Sequence, residues 1–593
     1  MCERAIVSLS AVFLLCICVL VGARAEGPER QTSERLVAQI DFSSFMQEFL
    51  KRFPDAEKAF HREPSQVTAS IKRMSYSQRL AVSPDMRRVV YQAKEGDNSF
   101  LVVDGKEHKR YDRIYKFEAL FNGIFSPDGK RVAYKAELGG KEFVVADGKE
   151  HKKYNRLANV GNLIFSPDGK HLAYRVDRAK GPSFVVVDGI EQEKYYRVEP
   201  PVFSPDGKRL AYVAHPAKES DDWLWGKWLV VVDGKEHEEY DRIGNFVLAP
   251  LFSPDSKRLA YIARAENRSF VVIDGEEQKK YDDIATLKGL GRPLFSPNSK
   301  RLAYAAMDGN KWFVVVDGKE HDKYDQIGNF VFSPDSQHLA YLAKLGDKWF
   351  VVRDGKEGKR YDKAGWPGLG FSPDSKHLAY AANSGDKCFV VIDEQEQEKY
   401  DVIESLGFSP GSKRVAYQAG EGKKRFFVVV NGQEQKKYDG KGILSPDGER
   451  LAYTTQVGNK RLVVVDGQEG KQYDAIHEMI FSPDGKRLAY IATADNKSVV
   501  VVDGEEQKQY DELKGPYPGK KDLLFSSDSR HLAYAAKVSN KWFVVIDGNQ
   551  GRQYDDILRP ESSQGSIVFD SPDSLHYLAI KDNSVYLVEE KIG

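Results

Sequence analysis

FSPNSKRLAYAAMDGNKWFVVVDGKEHDKY, residues Phe295 to Tyr324, is one copy of a unit that recurs along the whole chain. Ser-Pro-Asn-Ser, written Ser-Pro-Asp-Gly in sister copies, is a turn. Proline presets φ, the Asp or Asn side chain can bond the turn backbone, and glycine takes the left-handed position. Leu-Ala-Tyr and Phe-Val-Val-Val are strand-forming runs, and Asp-Gly closes a hairpin after them. A fourth strand is expected around Tyr324-Asp325-Gln326-Ile327. No helical pattern separates the strands, which excludes a parallel α/β sheet.

The Ser-Pro turn recurs at Ser83, Ser126, Ser166, Ser204, Ser253, Ser296, Ser333, Ser372, Ser409, Ser445, Ser482 and Ser571, with Ser526-Ser527-Asp528 between the last two. That makes 13 copies, spaced roughly 41 residues apart, the period of a four-stranded propeller blade. The fold expected is all-β. Because propellers typically carry four to eight blades, the copies are expected to form tandem β-propellers, seven plus six or six plus seven. The divisions are a signal peptide at 1–25, an N-terminal segment at 26–79, a first propeller at 80–365 and a second at 366–593. The last copy stops after its third strand, and Val67 to Ser77 is the segment expected to complete it and protect its edge.

The run FSPDGKRLAY, at Phe203 to Tyr212 and Phe481 to Tyr490, resembles the TolB-type, WD-like propeller repeats of bacterial envelope proteins. The resemblance spans roughly residues 80–593 and implies the fold; it implies little about activity, because this fold carries binding scaffolds and enzymes alike. The α/β domain that precedes the TolB propeller is missing and the blades are about twice as many, so TolB's partners are not carried over.

At the N-terminus, the uncharged run Ile6 to Ala23 follows Arg4 and leads to Ala23-Arg24-Ala25, a small-x-small cleavage pattern. We read a secretory signal ending at Ala25; the rival is an uncleaved anchor, since 18 apolar residues just reach across a bilayer. Cleavage leaves 86 basic and 87 acidic residues and a single cysteine, Cys388. An internal disulfide is then impossible. Cys388 occupies the place of Trp312, Trp349 and Trp542 in sister copies, which makes it a packing residue. With evenly spread charges and a net charge of zero, nothing marks the chain as a nucleic-acid binder, which would need a basic face. Phe42, Phe45, Met46, Phe49, Leu50 and Phe53 recur at helical spacing and stop at Pro54, predicting a short amphipathic helix that caps a propeller or docks a partner.

Loop lengths single out one face. From the turn serine to the Tyr of Leu-Ala-Tyr the interval is eight residues in twelve copies, and from the residue ending the third strand to the next Tyr it is seven. The other two connections vary, and they share the opposite face. That face is expected to bind. Its most divergent loop, His215 to Lys227, carries Asp221, Asp222, Trp223 and Trp225; Arg292, Trp366 and Tyr517 lie in other variable stretches. Tryptophan offers the large, stiff contact area that protein and carbohydrate ligands use.

Chemistry is sparse. No G-x-S-x-G elbow, phosphate loop, H-E-x-x-H or cysteine-pair metal spacing occurs. Four histidines repeat in one turn (His108, His151, His237, His321) and four precede Leu-Ala-Tyr (His171, His338, His377, His531), with His576 near that place in the last copy. These are expected to be solvated and not to converge on a metal. Asn267-Arg-Ser and Asn496-Lys-Ser are formal glycosylation sequons. The reading is an exported scaffold, periplasmic or extracellular, with no catalytic residue, metal or cofactor, binding an envelope or extracellular protein, or a glycan, through the variable face. The alternative is a polysaccharide-active lyase or hydrolase on the same scaffold.

Overall fold

The computed structural model describes residues 30–39, 80–115, 124–155, 158–178, 181–216, 227–244, 250–285, 293–422, 425–434, 442–514, 522–558, 565–582 and 584–593. Among these there is no helix, and the strands assemble into 13 separate antiparallel sheets, one per repeat. Blade 8 is typical: Lys363–Phe371, Leu378–Ser384, Lys387–Ile392 and Gln395–Glu396, hydrogen-bonded in that order.

The turn residues hold the blades as their chemistry dictates. Ser333, fully buried, accepts the His338 N–H at 2.9 Å and donates to Asp335 at 2.5 Å, and the pattern recurs from Ser83 to Ser526. The residue closing the third strand sits at positive φ, as at Asp354 (50°), and its carboxylate accepts the Leu339 N–H at 2.9 Å. Beside it comes either Arg, as in Arg301–Asp317 at 3.1 Å, or His, as in His338–Asp354 at 2.8 Å. The histidines before Leu-Ala-Tyr thus stand in for arginine.

The fourth strand is shorter than expected and earlier in sequence. In blade 6 it is Lys319–Glu320 plus a bridge between Trp312 and Tyr324; Gln326–Phe332 already belongs to blade 7. Each recurring Tyr bonds its own sheet through its backbone but packs its ring into the next blade. Tyr324 lies edge-on to Tyr341 at 6.4 Å and to Phe350 at 5.4 Å. The histidines of the same turn are not solvated either. His151, His237 and His321 each place Nδ1 3.1 Å from the Tyr hydroxyl of the following blade, and burial lowers their pKa.

Thirteen apolar clusters lie between the sheets, each joining one blade to the next. The last of them joins blade 13 (Leu558, Leu578, Ile580, Val585, Leu587) to blade 1 (Val82, Met86, Val89). The blades therefore form one closed β-propeller, and the split into seven plus six is not what the packing shows. Blades 7 and 8 share a cluster like every other pair, and the expected boundary at 365/366 falls inside the strand Lys363–Phe371. Repeat period alone does not fix the angle between blades, so the count per ring was open to this outcome.

Closure is made by Gln31–Gln39, not by Val67 to Ser77, which lies outside the described residues. The strand pairs antiparallel with Ser584–Lys591 as the fourth strand of blade 13. Glu34 lies opposite Val588, the register in which Glu320 lies opposite Val315. It accepts the Tyr554 hydroxyl and pairs with Arg552 at 3.2 Å, as Glu191 does with Tyr154 and Lys152. Arg30 pairs with the buried Glu590, whose other oxygen accepts Tyr577 at 2.6 Å. His576 occupies the alanine position of Leu-Ala-Tyr, two places further on than expected, because the interval from the turn serine to the leucine is two residues shorter, Ser571 to Leu575 against Ser526 to Leu532. It is 1% exposed and joins Asp570 (2.9 Å) to the carbonyl of Asp85 in blade 1 (2.7 Å).

Candidate functional site

The step from one blade to the next takes no loop. After Tyr324, the Asp325 N–H already donates to Lys344 of blade 7 at 2.9 Å; Asp362 and Asp401 repeat this with Asn383 and Gly420. The variable length therefore falls inside the first strand of the new blade. In blades 7, 8, 9 and 11 that strand is continuous, and its pairing slips between Ile327 and Phe330, Ala364 and Leu369, Ile403 and Ser405, and Ile476 and Met479. In others it breaks at the same level: Arg197–Val198 resumes at Val202–Phe203, Arg242–Ile243 at Leu251–Phe252, and Asp283–Ile284 at Leu294–Phe295. Extra residues held between two fixed registers are extruded as bulges.

These bulges form a belt. The first strands of blades 7, 8 and 9 approach one another directly, which sets them at the axis. The fourth strands are joined by long side chains, as in Lys279–Glu320 at 2.6 Å, which sets them at the rim. Ala364 pairs with Ala382, close to the Ser384–Lys387 hairpin end, so the belt lies toward the variable-loop side. Its exposed members among the described residues are Pro200, Asn329, Trp366, Glu404, Ser405 and His477.

Trp366 dominates the belt, with 84% of its surface exposed. It is presented by a strand whose backbone needs a glycine beside it. Gly365 has φ +86°, and a Cβ there would lie 2.2 Å from Leu342 of blade 7. A left-handed residue pressed on a neighbouring blade has to be glycine. The Trp366–Pro367 peptide is cis. On the same strand and on its neighbour, a Cβ at Gly370 or Gly407 would meet nothing within 4 Å.

Of the residues expected at the binding face, Trp366 alone is described; Asp221, Asp222, Trp223, Trp225, Arg292 and Tyr517 lie outside the described residues. His215, Pro216 and Lys227 of the His215–Lys227 stretch are among the described residues. His215 is 6% exposed, bonds Pro216 O through Nδ1 at 2.9 Å, and packs on Trp228 (5.0 Å) and Tyr196 (5.6 Å). Tyr196 replaces the Asp that follows the blade-ending Tyr in most copies. Pro200, Asn329, Glu404 and Ser405 were not expected in the site. The signal for them was the interval between Tyr and Ser-Pro, once that interval is read as strand and not as loop.

Polar groups beside the belt are locally neutralised. In blade 2 the Tyr115 hydroxyl donates to Glu142 and lies 3.1 Å from Glu137, while Lys135 pairs with Glu142 at 2.8 Å. Burial and these carboxylates raise the Tyr115 pKa. Arg197 pairs with Glu199 at 3.0 Å in blade 4. Among the described residues no group of three His, Cys, Asp or Glu is arranged to hold a metal ion.

No family model and no curated protein matches the chain. Among solved structures it is similar to a eukaryotic initiation factor (14% identity, TM-score 0.28, covering 57% of this chain and 92% of that one). It is also similar to TolB from Acinetobacter baumannii (15%, 0.20, 44% and 78%). A third is the β-propeller domain of the Trilobed protease from Pyrococcus furiosus, described as having an open velcro topology (13%, 0.23, 47% and 97%). At these identities and scores the propeller assignment rests on the chain's own sheets, and the activities of these proteins are not transferred.

Proposed function

We propose that the protein is an exported, non-catalytic scaffold that binds a partner protein in the periplasm or outside the cell, through the axial belt on its variable-loop side. The observation that carries this is Trp366. A large aromatic side chain 84% exposed on a glycine-anchored strand is costly to leave bare in water and well suited to burial against a protein. The repeat also keeps its turn chemistry constant on one side and concentrates its differences at one level on the other, which is how a rigid frame varies a contact surface. The leader-like run at residues 6–23 is the support for export.

The test is affinity capture from envelope and exported fractions with the mature chain and a Trp366→Ala variant. A partner retained by the parent and reduced at least tenfold by the variant is expected; truncating a central aromatic costs about 2 kcal/mol or more of binding energy. Equal capture by both, or none by either, refutes the reading.

A further inference from the structure

Several junctions between blades are tied by one arginine that serves two acceptors. Arg209 bonds Asp233 of its own blade through Nε at 2.9 Å, and reaches the Lys257 carbonyl, in the first turn of the next blade, at 2.7 Å. Arg301 does the same with Asp317 (3.1 Å) and the Gln337 carbonyl (2.7 Å), and Arg487 with Asp503 (3.2 Å) and the Arg530 carbonyl (2.6 Å). Carboxylate and carbonyl only accept, so the group between them has to donate at both ends. A guanidinium does so at every working pH.

The seam between blade 13 and blade 1 has the same arrangement built on a histidine. His576 Nδ1 lies 2.9 Å from both oxygens of Asp570 in its own blade, and Nε2 lies 2.7 Å from the carbonyl of Asp85, in the first turn of blade 1. A neutral ring would set a nitrogen lone pair against an oxygen lone pair at one of these ends. Both nitrogens therefore carry hydrogen, and the ring, 1% exposed, is an imidazolium. The charged groups packed around it fit a cation. Asp570, on Ile567–Ser571, also pairs with Arg87 of blade 1 at 2.9 Å; Glu589, opposite His576 on Ser584–Lys591, pairs with Arg87 at 2.6 Å; the Asp85 carboxylate accepts the Ser83 hydroxyl and the Arg87 N–H. The seam is also a junction that the chain does not step across directly: residues 40–79 separate Gln39, on the outer strand of blade 13, from Leu80, in the first strand of blade 1.

We propose that His576 makes the seam a proton-dependent clasp: doubly protonated, it holds blade 13 to blade 1, and loss of one proton as pH rises loosens this junction while those tied by arginine keep their hold. The sign follows from the form that the fold engages. The folded seam binds the cation, so the contribution is complete at acid pH and is withdrawn as the ring loses its proton. Histidine is the side chain whose charge ordinarily changes between about pH 5 and 8, whereas arginine stays charged to about pH 12 and above. Exchanging one for the other at a single junction gives the ring one place where pH can act without unfolding the rest.

The experiment is amide hydrogen exchange of the mature chain at about pH 5.5 and about pH 9, on either side of the ordinary imidazole range. The readout is protection of Ser574–Lys581 and Val89–Glu95, on the two sides of the seam, relative to Val415–Glu421 and Leu451–Val457 in blades 9 and 10, so that the pH dependence of exchange itself cancels. The parent is expected to lose about tenfold of its relative seam protection at the higher pH, the effect of one hydrogen bond from a charged group. In His576→Gln the single amide nitrogen can serve one end only, so relative protection should be low and equal at both values. Where that variant does not fold, Asp570→Asn replaces it: with the anion gone, seam protection should already be reduced at about pH 5.5. A parent seam equally protected at both values overturns the proposal. So does a variant that keeps the parent's course with pH, which would assign the effect to another group.

Discussion

A buried hydroxyl is the smallest unit on which each blade depends. Ser333→Ala removes the acceptor of the His338 N–H and strands that donor inside the protein. Because an orphaned buried group loses its full solvation, the cost is about 1–3 kcal/mol, read as a lower urea midpoint. Gly365→Ala faces both a positive φ and Leu342, and is expected to lower the melting temperature and weaken partner capture together. Titration acts at the same scale. Asp325, Asp362 and Asp401 are held below the ordinary carboxylate range, first by Lys311, Lys348 and Lys387 and then by backbone N–H groups of the next blade. A depressed folded pKa gives stability that is present above the unfolded value near 3.9 and is lost as pH falls through the folded one. Burial likewise depresses His151, His237 and His321, so their contribution is present above about 6.5 and begins to fade as pH falls from there. The unfolding midpoint should therefore decline in two stages on acidification. His321→Gln should shrink the first stage and leave the second; an unchanged profile would count against the inter-blade role of these histidines.

Among the elements, the N-terminal strand pairs along its length with a strand more than 500 residues away in sequence. Val37 points into the seam cluster at 1% exposure, while Leu36 beside it is 53% exposed. Val37→Asp buries an unpaired charge and should strip hydrogen-exchange protection from Ser584–Lys591, leaving blades 5 to 7 protected. Leu36→Asp should alter stability by no more than about 0.5 kcal/mol. Loss of protection in both variants, or in neither, would contradict the register. Most of a blade was legible in the sequence, because its turns and strands are local: Ser-Pro-Asp-Gly, Leu-Ala-Tyr and Asp-Gly each state their own geometry. The closing strand was not, since QTSERLVAQ carries no repeat signature except Glu34, and one glutamate cannot announce a partner at Val588. The fourth strand was misplaced for a related reason. Tyr324 has strand-like chemistry, but its side chain serves the next blade.

At the scale of the molecule, the blade count could be read and the ring could not. The number of repeats is written in the chain, whereas the angle between sheets is set by thirteen similar clusters acting together. The candidate site followed the same pattern. The variable side was legible from loop lengths and Trp366 from its departure from the repeat, while the belt emerged only when the variable stretches proved to be interruptions of axial strands. One measurement tests the account most directly: cryo-electron microscopy of the mature chain viewed down the propeller axis. The account predicts one ring with thirteen radial blades and the N-terminal strand on the rim of the last blade. Two smaller rings joined side by side, or a single ring open at the junction of the first and last blades, would contradict it.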